Sequence, residues 1–270
     1  MLDRPLVMGI VNVTPDSFAG GIRDPEAAHD HARKLIDEGA DILDIGGEST
    51  RPGAVEIDDE DEIGRVVPLI ERLADCGKPL SIDTRKPTVM RRALASGASM
   101  INDVNALRAN GAIEAAAGSA AAVCLMHMQG DPQTMQAAPH YDDVVGEVRQ
   151  FLRERVEACI GAGIARDRIV VDPGFGFGKT VEHNLALLDA LGSIGSLDAL
   201  GYPVLAGLSR KGMLGKLTGR PVGERVQASV AAALAAITRG AAIVRVHDVA
   251  ATVDAIAVWR AAGLVPAPAR

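Results

Sequence analysis

The 270-residue sequence has only three cysteines, Cys76, Cys124 and Cys159, widely spaced and with no Cys-x-x-Cys pair. That spacing offers neither a disulfide framework nor a zinc site. Cys124 sits in an apolar run, where a small buried hydrophobe is expected. No stretch approaches the roughly 20 consecutive apolar residues that a bilayer helix needs. The opening Met1-Leu2-Asp3-Arg4-Pro5 leads almost directly into a strand-like run and lacks the basic and apolar regions of a secretory signal. A cytoplasmic protein without membrane contact is therefore expected. Basic excess is absent too. The net charge of −7 argues against a nucleic-acid partner, although a few converging cations can still hold a phosphate in an acidic protein.

What is present is alternation. Asp24-Pro25 offers a helix cap and a first-turn proline, Ala28, Ala32, Leu35 and Ile36 recur at helical spacing, and Gly39 ends the pattern. Asp41–Ile45 follows as a short apolar strand closed by Gly46-Gly47. Similar runs fall at Leu6–Val11, Pro79–Asp83, Met100–Asn102, Ala122–Met126, Ile169–Asp172, Val204–Leu208 and Ile243–Val246, with helical patterns between them. Three segments echo one another, beginning at Gly39, Gly97 and Gly240: a glycine where a helix should stop, then two large apolar residues, then a polar one. About eight βα units in one chain of this length predict an α/β fold, a single-domain (β/α)8 TIM barrel spanning residues 1–270. An open doubly wound sheet alternates in the same way but usually has fewer strands.

In such a barrel the C-terminal strand ends converge on one mouth. Here they carry Asn12, Glu48-Ser49-Thr50-Arg51, Asp83, Asn102, His127, Asp172, Ser209-Arg210-Lys211 and Arg245-Val246-His247. Each residue also has a plainer explanation. Asp83 and Asp248 fit helix caps, Asp172-Pro173-Gly174 fits a turn, and Arg210 and Lys211 fit solvated surface charges. Arg245 and His247 alternate, so they share a face and suit an anion. Convergence at about eight strand ends is what favours a site. Three of the four phenylalanines, Phe18, Phe175 and Phe177, lie in turn-rich segments, where a ring should cover either the barrel core or a flat aromatic ligand. Gly174–Thr180 resembles a phosphate loop, but Pro173 stands where its first glycine belongs, so no nucleotide site follows.

These segments resemble a known family, the dihydropteroate synthases of folate biosynthesis. Asn12-Val-Thr-Pro-Asp-Ser-Phe18, Asp44-Ile-Gly-Gly-Glu-Ser-Thr-Arg-Pro-Gly53, Ser81–Thr84, Ile101–Val104, Leu125–Gly130, Asp172–Lys179, Ser209–Lys211 and Arg245–Asp248 match its motifs in order over essentially the whole chain. The resemblance implies a transferase that joins a dihydropterin pyrophosphate to 4-aminobenzoate. It places the pterin on Asp83, Asn102, Asp172, Lys211 and Arg245, with Val104, Met126, Phe177 and Gly207 lining the slot. It puts the pyrophosphate on Asn12, Thr50, Arg245 and His247, and 4-aminobenzoate near Phe18, Thr50, Arg51, Pro52, Lys211 and Gly212. Catalysis then falls to Arg245, His247, Lys211, Asp83 and Asp172. The family's first-strand asparagine coordinates Mg2+, a role that falls on Asn12, and the family is homodimeric. Gly212 departs from the serine common after Arg-Lys, a position that the resemblance places at the carboxylate of 4-aminobenzoate. A related pterin-binding methyl-transfer module would use the aspartates and the asparagine but has little need of Arg245 and His247.

Overall fold

A computed structural model of the chain describes residues 4–14, 24–49, 53–131, 133–191 and 201–263. The first strand, β1 (Leu6–Asn12), is buried along its middle on both faces, as a strand covered on one side by helices and on the other by a barrel interior must be. Helix α1 (Pro25–Asp37) starts where Asp24 accepts a hydrogen bond from the Glu26 amide, with proline in its first turn, and buries Ala28, Ala32 and Leu35. Strand β2 (Ile42–Gly46) starts one residue later than the apolar run suggested. The Asp41 side chain is occupied elsewhere, accepting from the Val7 amide at 2.9 Å and pairing with Arg4 at 2.5 Å.

The units then repeat: α2 (Asp59–Leu73), β3 (Leu80–Asp83), α3 (Pro87–Ala95), β4 (Met100–Asp103), α4 (Ala112–Ala117), β5 (Ala122–Met126), α5 (Val144–Gly161), β6 (Ile169–Asp172), α6 (Val181–Ala190), β7 (Leu205–Ala206), α7 (Gly212–Thr218), α8 (Val226–Thr238), β8 (Ile243–Val246) and α9 (Val249–Ala261). The three echoed glycines have one physical role. Gly39, Gly97 and Gly240 take φ of +97°, +116° and +96°. The next amide in each case reaches back to a helix carbonyl, Ala40 to Leu35, Ala98 to Ala93 and Ala241 to Ala236, at 2.9 to 3.0 Å. That is the left-handed helix stop that a side chain would strain.

All eight strands are parallel, in the order β6-β5-β4-β3-β2-β1-β8-β7. The ends of this sheet meet through a bridge between Val171 and Val204 and a hydrogen bond from the Val171 amide to the Pro203 carbonyl at 3.0 Å. The result is a nearly closed TIM barrel, as the alternation predicted. Strand β7 is shorter than the Val204–Leu208 run. Val204 forms the bridge to Val171 and accepts from the Ala242 and Ile243 amides just ahead of the strand, and the chain leaves the ladder at Gly207, before the turn at Ser209-Arg210. The large core lies between strands and helices, while Met8, Ile42, Met100, Cys124, Val170, Leu205 and Ile243 form a separate apolar plug inside the barrel. Cys124 is fully buried in that plug, as expected. No described helix is long and apolar enough to cross a membrane.

Candidate active site in the barrel lumen

Side chains two residues apart on a strand share a face, so the plug fixes what lies above it. Two residues beyond Ile42, Met100, Cys124, Val170, Leu205 and Ile243 come Asp44, Asn102, Met126, Asp172, Gly207 and Arg245. Register sets Asp83 beside Asn102, and Met126 beside Asp172. Five positions assigned to the pterin thus form one layer with Asp83, at the C-terminal side of the apolar floor.

Arg245 ties this layer together. Its Nε donates to Asp44 Oδ2 at 2.5 Å and its Nη2 donates to Asp83 Oδ2 at 2.6 Å. Asn102 Nδ2 donates to the same Asp44 oxygen at 3.0 Å. Burial works against the charge on Arg245, but Asp44 and Asp83 outweigh it and raise its pKa. Burial also pushes Asp83 from 3.8 to about 7, against the pull of Arg245 and with the help of Asp44. Among the described residues, Asp44 Oδ1, Ser81 Oγ and Asp83 Oδ1 are buried without a hydrogen-bond partner. Such oxygens are costly unless a ligand or water serves them. Asp44 received no role from the sequence, because an aspartate inside Ile42–Gly46 gave no signal beyond its place in a motif.

The loop after β6 forms one side of the slot. Asp172 Oδ1 accepts from the Gly174 amide at 2.7 Å, so the turn and the binding explanations of this aspartate are compatible. Burial raises its pKa while Lys211 opposes the rise. Gly174 has φ +70°, and a Cβ there would collide with the His127 carbonyl, so only glycine fits. Lys179 is buried and turned back into its own loop. Its Nζ donates to the Gly174 and Phe177 carbonyls at 2.9 and 3.0 Å and contacts His127 Nδ1 at 2.9 Å. Burial lowers its pKa to about 7. A lysine so engaged is not presented to a nucleotide, in keeping with the failed phosphate-loop spacing. The two phenylalanines divide: Phe175 is fully buried in the core, whereas half-buried Phe177 packs on Val104, Met126, Met128 and Met135. Lys211 Nζ lies 4.6 Å from the Phe177 ring centre and donates to the Phe175 carbonyl. Burial lowers the Lys211 pKa to about 8, with Asp172 opposing the fall.

Nearer the mouth, His247 Nδ1 lies 3.0 Å from Ser209 Oγ. Arg210 is not a solvated surface charge: at φ +56° it pairs with Asp248 at 2.5 Å. Asp248 flanks α9 but makes no side-chain cap, and α3 is preceded by Lys86, so neither Asp248 nor Asp83 is the cap that its position allowed. Gly212 opens α7 and is exposed, and a Cβ added there would meet nothing within 4 Å. Thr50, Arg51, Pro52 and Phe18 lie outside the described residues. Asn12 ends β1, half-buried. Among the described residues no group of three histidine, cysteine or acidic side chains could hold a metal ion. One amide oxygen fits Mg2+ only where water and diphosphate oxygens complete its shell.

Comparison with known proteins decides the family. A family model described as pterin binding enzyme matches residues 8–247. The dihydropteroate synthase of Neisseria meningitidis serogroup B is 53% identical, over 97% of this chain and 94% of its own length. This chain belongs to the dihydropteroate synthase family. The synthase family is one of transferases, which meets the expectation from the motifs. Its solved members include the Xanthomonas albilineans enzyme with 4-aminobenzoic acid, at TM-score 0.89 and 56% identity over 98% of this chain and 95% of that one. The same organism's enzyme in complex with 7,8-dihydropteroate gives TM-score 0.86 and 53% identity, over 98% and 96%.

Proposed function

We infer that the protein condenses (7,8-dihydropterin-6-yl)methyl diphosphate with 4-aminobenzoate, giving 7,8-dihydropteroate and diphosphate. The observation that carries this reading is the lumen layer itself: carboxylate oxygens without partners, beside a slot walled by Phe177, Met126 and Val104. A pterin offers ring and exocyclic N–H donors to Asp83 and Asp172, an edge to Asn102 and Lys211, and a flat face to the slot. Its binding would satisfy groups that are otherwise expensive to bury, so analogues lacking those donors are rejected.

In the reaction the methylene C–O bond breaks and the diphosphate leaves with the bonding pair. Arg245 and His247 stabilise that developing charge, and Asn12 and Thr50 add polar contacts. The cationic pterin fragment lies against Asp83 and Asp172. The amine nitrogen of 4-aminobenzoate forms the new C–N bond and loses a proton, with the aminobenzoate held near Phe18, Thr50, Arg51, Pro52, Lys211 and Gly212. Asn12 would hold Mg2+, which neutralises diphosphate charge when bound. We further propose one catalytic domain over the whole chain, a cytoplasmic location, and a homodimer in which α9, with Val258 70% exposed, faces the partner. The methyl-transfer alternative has little need of Arg245 and His247, so their presence favours the synthase reading.

The test is diphosphate release by purified protein given the dihydropterin diphosphate and Mg2+, with and without 4-aminobenzoate. Release tied to dihydropteroate formation, with Arg245→Ala losing turnover more than pterin affinity, supports the reading. Tight pterin binding without release would make this a binding module.

A further inference from the structure

Asp44 is fully buried on β2, in the ring of residues directly above the apolar plug. Three observations set it apart from a stabilising ion pair. Its Oδ2 accepts from both Arg245 Nε and Asn102 Nδ2, joining β8 to β4 through a residue of β2. Its Oδ1 has no partner among the described residues. A buried carboxylate left half-satisfied contributes little net stability, and an apolar side chain such as Ile42 one layer below fills the same lumen without that cost. The third observation concerns what Asp44 leaves exposed. With Nε on Asp44 and Nη2 on Asp83, the remaining Nη1 of Arg245 makes no hydrogen bond among the described residues. In the same way, a carboxylate can accept only from the Nδ2 side of Asn102, so its presence fixes the amide orientation and leaves Oδ1 as the acceptor on offer.

We propose that Asp44 is a positioning residue and specificity determinant of the condensation. It locks the Arg245 guanidinium so that Nη1 serves the departing diphosphate, and it sets Asn102 to accept, rather than donate, a hydrogen bond at the pterin edge. The proposal rests on the reaction inferred above. It assigns Asp44 no contact with the reacting atoms.

A double-mutant cycle tests it. Asp44→Asn keeps the shape, removes the charge and allows either amide orientation. In the wild-type background it should lower kcat and raise the pterin KM, each by about tenfold, with the 4-aminobenzoate KM within about twofold. In an Arg245→Gln background the same substitution should change residual kcat by less than about twofold, because the residue it acts through is gone. An equal loss in both backgrounds, or no loss in the first, overturns the proposal. A purely structural role would lower Tm without this split between substrates. Should a variant fail to fold, the Arg245 Nε–H resonance of the wild-type protein decides. Strong hydrogen bonding that persists on adding inorganic pyrophosphate supports the lock, and its release overturns it. Absence of dihydropteroate from the wild type would count against the reaction and not against Asp44.

Discussion

Positions 205 and 207 face the same way, and the change from leucine to glycine empties the space beside Lys211 and Arg245. A Cβ at Gly207 would sit 3.8 Å from Lys211 Nζ and 3.9 Å from Arg245 Cβ, ordinary contact distances. A methyl group therefore fits, whereas a branched side chain would extend further into the space beside Lys211 and Arg245. Gly207→Val is expected to weaken pterin binding by more than about tenfold, read by calorimetry, and to leave Tm within a few degrees. A large fall in Tm with unchanged affinity would mean that the glycine serves the turn instead. The two basic residues that follow in the chain were legible as charges but not by direction. Arg210 and Lys211 are neighbours, yet the φ of +56° at Arg210 sends one to Asp248 and the other to the phenylalanine loop. Nothing in the order Ser-Arg-Lys reveals that divergence.

The loop leaving β2 is anchored by a network shared between α2 and α3. Lys86 Nζ pairs with Glu48 at 2.7 Å and Glu62 at 2.9 Å, and donates to the Ile57 carbonyl at 2.5 Å. All three ionic side chains are buried. Removing the cation leaves buried Glu62 without its ionic partner and Glu48 with Arg85 and the Ile57 amide alone, so Lys86→Met should destabilise the fold by about 3–5 kcal/mol in urea melts. A loss below about 1 kcal/mol would show that water reaches the carboxylates and replaces the lysine. Elements of this fold were readable because each has a local cause. Parallel strands covered on both faces read as short apolar runs, and helices stop at glycines with positive φ. Pairings were not readable. Asp44 and Arg245 are 201 residues apart in sequence and meet because β1 pairs with both β2 and β8. Phe175 and Phe177 are separated by one glycine, and only the folded loop decides which enters the core and which faces the slot.

The whole molecule carries its site as buried acid, and that has a signature in the pH dependence of stability. Burial lifts Asp83 from 3.8 to about 7, so between those values the folded chain holds a proton that the unfolded chain has lost. Stability from this group therefore falls as pH rises through the window and is constant above it. Asp83→Asn, which cannot ionise, should gain stability relative to the wild type between about pH 4.5 and about pH 7.5, measured by urea midpoints. A relative loss over that range would place the folded pKa below the ordinary value. The same molecule has one thin place in its wall. Where most neighbouring strands share full ladders, β6 meets the β7 end of the sheet through the Val171–Val204 bridge and the bond to Pro203. Opening fluctuations should concentrate there, so the Val171 amide should exchange with deuterium sooner than amides in the middle of β1. Asp172 follows that amide directly and belongs to the lumen layer with Asp83. A pterin held by both aspartates would span the ring like a cross-tie. Substrate binding should then slow exchange at Val171 most, making the weakest seam of the barrel the place where occupancy is felt as rigidity.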